Sequence, residues 1–106
     1  MKLYTKARDG LLYEATAIYE NGTVVVKEGS KINRTNAAGF KANKIIANLR
    51  ADNSLFENEC ILNQDVSFNS LSTAASFVTG RTANGMIVWK TENGKYVKFT
   101  LQQKEV

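Results

Sequence analysis

A chain of 106 residues, 43% hydrophobic and 23% charged, suits one globular domain over residues 1–106 that folds without a disulfide or a metal. Its single cysteine excludes an internal disulfide, no apolar run approaches the ~20 residues that cross a bilayer, and the start Met1-Lys2-Leu3-Tyr4-Thr5-Lys6-Ala7-Arg8 lacks a signal-peptide core. A cytoplasmic setting with no membrane partner is the expectation. Net charge is +4, and the stretch Lys31–Arg50 holds five basic residues (Lys31, Arg34, Lys41, Lys44, Arg50) and no acid, a local excess that attracts phosphates over long range.

In chain order, Lys2–Arg8 alternates as a strand does, with Asp9-Gly10 as its turn. Leu12–Tyr19 and Thr23–Lys27 form a predicted hairpin around Asn21-Gly22, because a type I′ turn needs positive φ at both central residues. Tyr13, Ala15, Ala17 and Tyr19 share one face of its first arm. Lys41–Arg50 carries Ala42, Ile45, Ile46 and Leu49 at helical spacing, a core-facing stripe with Lys41 and Lys44 on the exposed side. Glu59–Leu62 reads as a short strand containing Cys60, a core thiol without a basic neighbour. Leu71–Thr79 repeats the helical spacing with Leu71, Ala74, Ala75 and Val78. Ser70 is suited to cap its start and Gly80 to end it in a left-handed conformation. A second hairpin is predicted to join Ile87–Thr91 to Tyr96–Leu101 through Asn93-Gly94. The expected fold is α+β, an antiparallel sheet built from hairpins with two short helices packed on one face.

The chain has no histidine, which removes the usual general base near neutral pH and most zinc sites. Gly29-Ser30-Lys31 lacks the spacing of a phosphate loop, and Glu57, Glu59 and Asp65 match no metal-binding spacing. No catalytic residues, cofactor or metal are expected.

The informative segment runs from Ser70 to Lys90. It reads as a capped helix with a small-residue face, a glycine stop, a polar loop offering Arg81 and Asn84, and a strand bearing Trp89 and Lys90. A guanidinium, an amide and an indole are what a surface reading bases or phosphates uses. The same residues also serve architecture: Asn84-Gly85 as a tight turn, Arg81 as a helix cap, Trp89 as core. Lys41 and Lys44 would extend an electropositive surface.

The segment resembles the domain of unknown function 4357 family, a small bacterial family. The resemblance lies in Ser70-Leu71-Ser72-Thr73-Ala74-Ala75, Gly80-Arg81-Thr82-Ala83-Asn84-Gly85-Met86 and Trp89-Lys90, and upstream in Val24–Ser30. Leu71 stands where the family pattern has proline, and Met86 where it has an aromatic. Domains of this family are often joined to GIY-YIG-type nucleases or restriction-associated proteins, and resemble an adenine-methylase-associated domain. The resemblance thus implies a non-catalytic accessory module that contacts duplex DNA in a restriction, repair or mobile-element setting. The alternative is a protein-interaction or scaffold domain that positions a DNA-processing enzyme.

Overall fold

The computed structural model describes residues 1–8 and 12–103; the Asp9-Gly10 turn lies outside the described residues. Strands β1 (Lys2–Lys6), β2 (Glu14–Glu20), β3 (Thr23–Val26) and β6 (Val66–Phe68) form an antiparallel sheet in the order β1-β2-β3-β6. Between β3 and β6 come helix α1 (Lys44–Ala51), a 3-10 turn (Asn53–Leu55) and the two-residue strands β4 (Phe56–Glu57) and β5 (Ile61–Leu62), which pair with each other. Helices α2 (Leu71–Thr79), α3 (Gly85–Val88) and α4 (Val97–Gln103) follow β6. The architecture is α+β, and none of these helices is long and apolar enough to cross a membrane.

Local chemistry sets the first hairpin. Asn21 and Gly22 take φ of 52° and 80°, the type I′ geometry that keeps Ala17 opposite Val26 and Tyr19 opposite Val24. With that register Leu3, Ala15, Ala17, Val24, Val26, Val66 and Phe68 all turn to one face and are buried. A one-residue slip would present the other set.

Helix α2 lies on that face. Ser70 accepts a hydrogen bond from Thr73 N at 3.1 Å, and Gly80 closes the helix with φ of 76°. Ala74 and Ala75 are fully buried, and at these two positions only a methyl group extends from the helix into the core. Phe77 reaches down between the rings of Phe68 and Phe56, at centroid distances of 5.0 and 6.4 Å.

The predicted stripe of the basic helix is corrected. Asn43 caps α1 through its side chain, so the helix starts at Lys44, and the residues it buries are Ile46 and Arg50; Ile45 is exposed. Asn58 and Glu59 have positive φ in the β4–β5 turn, which also takes Cys60 out of the expected strand.

The second hairpin survives only at its tip. Gly94 N donates to Thr91 O and Thr91 N to Lys95 O, and Lys90 pairs with Tyr96, but the flanking residues coil into α3 and α4. Val97 and Phe99 would share a face in a strand. On a helix they point roughly 200° apart, and Val97 is indeed buried while Phe99 is exposed. Lys90 also closes the outer edge of β1, exchanging backbone bonds with Tyr4 at 2.8 and 2.7 Å.

The Lys27–Asp65 ion pair, 2.8 Å long, ties the end of β3 to the turn before β6. The Lys27 ammonium, with the Glu28 amide, holds the Asp65 carboxyl below its ordinary value, and Ser54 does the same for Asp52. A carboxyl whose pKa is lower in the folded chain stabilises it above the unfolded value of about 3.9, and that contribution disappears as pH falls through the folded value. Asp65→Asn should therefore lower the melting temperature modestly near neutral pH, with the deficit shrinking as pH falls below the unfolded value of about 3.9. A deficit that persists unchanged in acid would assign the effect to something other than ionisation.

Candidate polyanion-binding surface

The segment from Lys27 to Asn43 carries no regular structure, yet it is fastened to the C-terminal end of α2. Asn33 N donates to Val78 O, Asn33 Nδ2 to Thr79 O, and Ala37 N to Gly80 O. Gly80 permits this close pass. A Cβ there would lie 2.6 Å from Thr35 O and 2.8 Å from Arg50 Nη2, and its φ is one that L side chains resist.

Fastening the segment brings Arg34 and Arg50 together. Arg50, 6% exposed, projects from the last turn of α1. Its Nη1 donates to Phe77 O at 2.6 Å, and its Nε and Nη2 donate to Asn36 Oδ1 at 3.1 and 2.8 Å. Arg34 donates from Nε to Arg50 O, from Nη1 to Glu59 O and from Nη2 to Asn53 Oδ1. Its guanidinium carbon sits 4.0 Å from the centre of the Phe56 ring. Each arginine thus satisfies carbonyl groups in the last turn of a helix, Arg34 for α1 and Arg50 for α2, where the dipole favours a cation. Neither meets a carboxylate; among the described residues the one ion pair is Lys27–Asp65. Burial first, and then the nearby Arg34 charge, lower the pKa of Arg50 from its ordinary value.

These two guanidinium groups line a depression of about 260 Å³ floored by Ala42, Ala47 and Ala51 and edged by Asn36. Asn36 also lines a second depression of about 530 Å³, which contains Arg8, Tyr13, Asn33 and Arg81. The chain has four arginines. All four face two depressions that meet at Asn36, with no Asp or Glu in the lining among the described residues.

Of the residues singled out from sequence, Arg81 is exposed and belongs to this surface. Lys41, expected on the helix, is exposed in the loop ahead of the Asn43 cap, and Lys44, the first residue of α1, is exposed and shares a helical face with Ala47 and Ala51, three and seven residues on. Asn84 is turned to local use: its Oδ1 accepts from Met86 N at 3.0 Å and caps α3. Lys90 is exposed elsewhere, its ammonium 5.1 Å from the Tyr96 ring centre, in a depression that it shares with Tyr4, Glu14 and Glu92. Trp89 corrects the expectation of a stacking platform. It is fully buried, its Nε1–H donating to Leu71 O at 3.1 Å, so no base can reach its ring.

Most of the informative segment is therefore a clasp. Gly85 N donates to Ser72 Oγ, and Gly85 packs so tightly on the first turn of α2 that a Cβ would lie 2.2 Å from the Leu71 carbonyl carbon. Ser72, Asn84, Gly85 and Trp89 hold α3 against α2, leaving Arg81 as the one signature side chain aimed at the arginine-lined surface. Sequence reasoning does not single out Arg8, and it marks Arg34 and Arg50 only as members of the basic stretch Lys31–Arg50. For Arg50 a signal existed in its position one turn after Ile46.

Glu57 and Glu59 are exposed and Asp65 is engaged with Lys27. Among the described residues no group of three or more Cys, Asp or Glu is placed to hold a metal ion.

A family model described as Domain of unknown function (DUF4357) matches residues 3–101. Comparison with curated proteins and with solved structures gives no match.

Proposed function

The chain belongs to the DUF4357 family, and from that premise we propose that it is a non-catalytic module that binds nucleic acid, duplex DNA in a restriction, repair or mobile-element setting. The observation that carries this reading is the convergence of all four arginines on two adjoining depressions with no acid in the described lining. Arginine presents a planar fork of donors that suits phosphate oxygens. Such an arrangement positions a backbone without reading bases, so affinity should depend on salt more than on sequence.

Titration of plain and adenine-methylated duplexes against salt tests it. If each arginine neutralises one phosphate, the log–log slope is about −3.6, or about 150-fold weaker binding from ~50 to ~200 mM salt. Arg81→Gln should reduce that slope by about one unit and weaken all sequences alike. Affinity indifferent to salt would remove the reading. Tighter binding of the methylated duplex would add a modification preference.

A second reading, a scaffold that positions a separate enzyme, draws on the free edge of β6, which has no further strand beside it among the described residues and offers a site for strand addition. It predicts a co-purifying protein partner with no effect on DNA mobility.

A further inference from the structure

We infer that Arg34, Arg50 and Asn36 form a discrete oxyanion site for a single phosphoryl group, with Lys44 at its rim. This deepens the polyanion reading and rests on it for the source of that group, the shared chemistry being a tetrahedral phosphoryl oxyanion.

Both guanidinium groups keep donors without takers. A guanidinium has five N–H groups, and the hydrogen bonds of Arg34 and Arg50 use one from each nitrogen. Two N–H groups therefore remain on each side chain, one per terminal nitrogen. Asn36 spends its Oδ1 on Arg50, which leaves its Nδ2 as a further donor at the place where both depressions meet. The lining of the Arg34–Arg50 depression otherwise consists of three alanines and supplies no acceptor side chain. Asp52, just beyond α1, is exposed and accepts from Ser54 N and Oγ through its Oδ1, and Glu59 lines a separate depression with Arg34, Asn53 and Phe56.

Charge points the same way. Arg50 is buried and Arg34 is near enough to oppose its protonation. Two cations so placed normally receive a carboxylate, since an uncompensated buried charge is costly. Here they receive only carbonyl and amide oxygens, which leaves a place for an anion from outside. The alanines permit its approach: Ala47 and Ala51 keep the α1 wall low, and Lys44 continues the same helical face. A depression of about 260 Å³ holds a phosphoryl group and part of what it is attached to.

The test uses an anion built into the chain. Ala47 is exposed and lines the depression without making any of its hydrogen bonds. Ala47→Glu keeps a strong helix former and delivers a carboxylate to both guanidinium groups. Melting temperature is measured with inorganic phosphate and with chloride at matched ionic strength, and the Nε–H NMR signals of Arg34 and Arg50 are followed. Phosphate is excluded from protein surfaces and stabilises folds in general, so the informative quantity is the difference between wild type and variant.

Wild type should gain several degrees more from phosphate than Ala47→Glu, with the two arginine signals shifting only in wild type; the variant should already melt higher in chloride. Arg34→Lys, which keeps the charge but loses the fork, should weaken phosphate binding about tenfold. Equal phosphate gains in wild type and Ala47→Glu, or arginine signals that do not move with phosphate, would overturn the site. Duplex DNA separates the sources. Binding that falls at least tenfold in Ala47→Glu assigns the group to the DNA backbone, and binding left intact while the phosphate response is lost assigns it to a free phosphorylated ligand. A wild type that responds to phosphate and ignores DNA retains this site and overturns the DNA reading.

Discussion

Trp89→Ala should destabilise the domain by about 3–5 kcal/mol, the range for truncating a large buried aromatic. The indole is fully buried, and its Nε1–H satisfies the Leu71 carbonyl, an acceptor in the first turn of α2. Removing it leaves a cavity in the core and takes from the Leu71 carbonyl the second donor that supplements its helical bond. For a chain of this size such a loss moves the melting temperature by on the order of 15–30 °C, and domains of this kind have only about 5–15 kcal/mol to lose. Thermal and urea unfolding measure it. Trp89→Phe should cost less, since the ring body stays and only the N–H and part of the volume go. A Trp89→Ala variant that melts within a few degrees of wild type would show that α3 does not depend on the indole.

Gly85→Ala should cost about 3 kcal/mol or more, beyond most overpacking changes, although it adds one methyl group. That methyl would lie 2.2 Å from Leu71 C, 2.4 Å from Leu71 O and 2.5 Å from Ser72 N. All three are backbone atoms, so no rotamer change relieves the contact and α3 must move away from α2. The displacement breaks the Gly85 N–Ser72 Oγ bond and drags Trp89 with it. Because both substitutions strike one joint, the double variant should lose clearly less than the sum of the two. Additive losses would mean that the two contacts are independent. Neither change touches the four arginines, so the DNA binding proposed above should be nearly unaltered at low temperature, where the variants remain folded.

The parts of the fold legible in sequence are those where short-range chemistry decides. Asn21-Gly22 sets its own turn, and Ser70 and Gly80 delimit α2 through one side-chain cap and one left-handed residue. The second hairpin misleads because Ile87, Val88, Val97 and Phe99 favour strands, and a tertiary demand overrides that preference. Asn84 starts a helical turn, and the turn delivers Trp89 to Leu71 O. Helix α1 misleads in another way. The apolar stripe ignores Arg50, whose long apolar stem enters the interior while its guanidinium reaches Phe77 O and Asn36.

The candidate surface is legible only in part. The acid-free stretch Lys31–Arg50 marks the right region, and Arg81 was a candidate from its loop position. The meeting of Arg8 and Arg81 with Arg34 and Arg50 around Asn36 depends on how the β3–α1 segment is fastened to α2, a long-range matter that no periodicity carries. Trp89 illustrates the converse. An indole on the segment that follows a polar loop looks like a binding platform in one dimension and is a core anchor in three.

The exchange of backbone bonds between Tyr4 and Lys90 has a bearing on synthesis. A nascent chain releases the β1–β3 meander from the ribosome long before the residue that shields its outer border exists as polypeptide. Until then the border is open to pairing with neighbouring chains, the hazard of any unshielded strand. Indole emission, shifting to the blue as Trp89 is withdrawn from water, would time the moment at which that exposure ends.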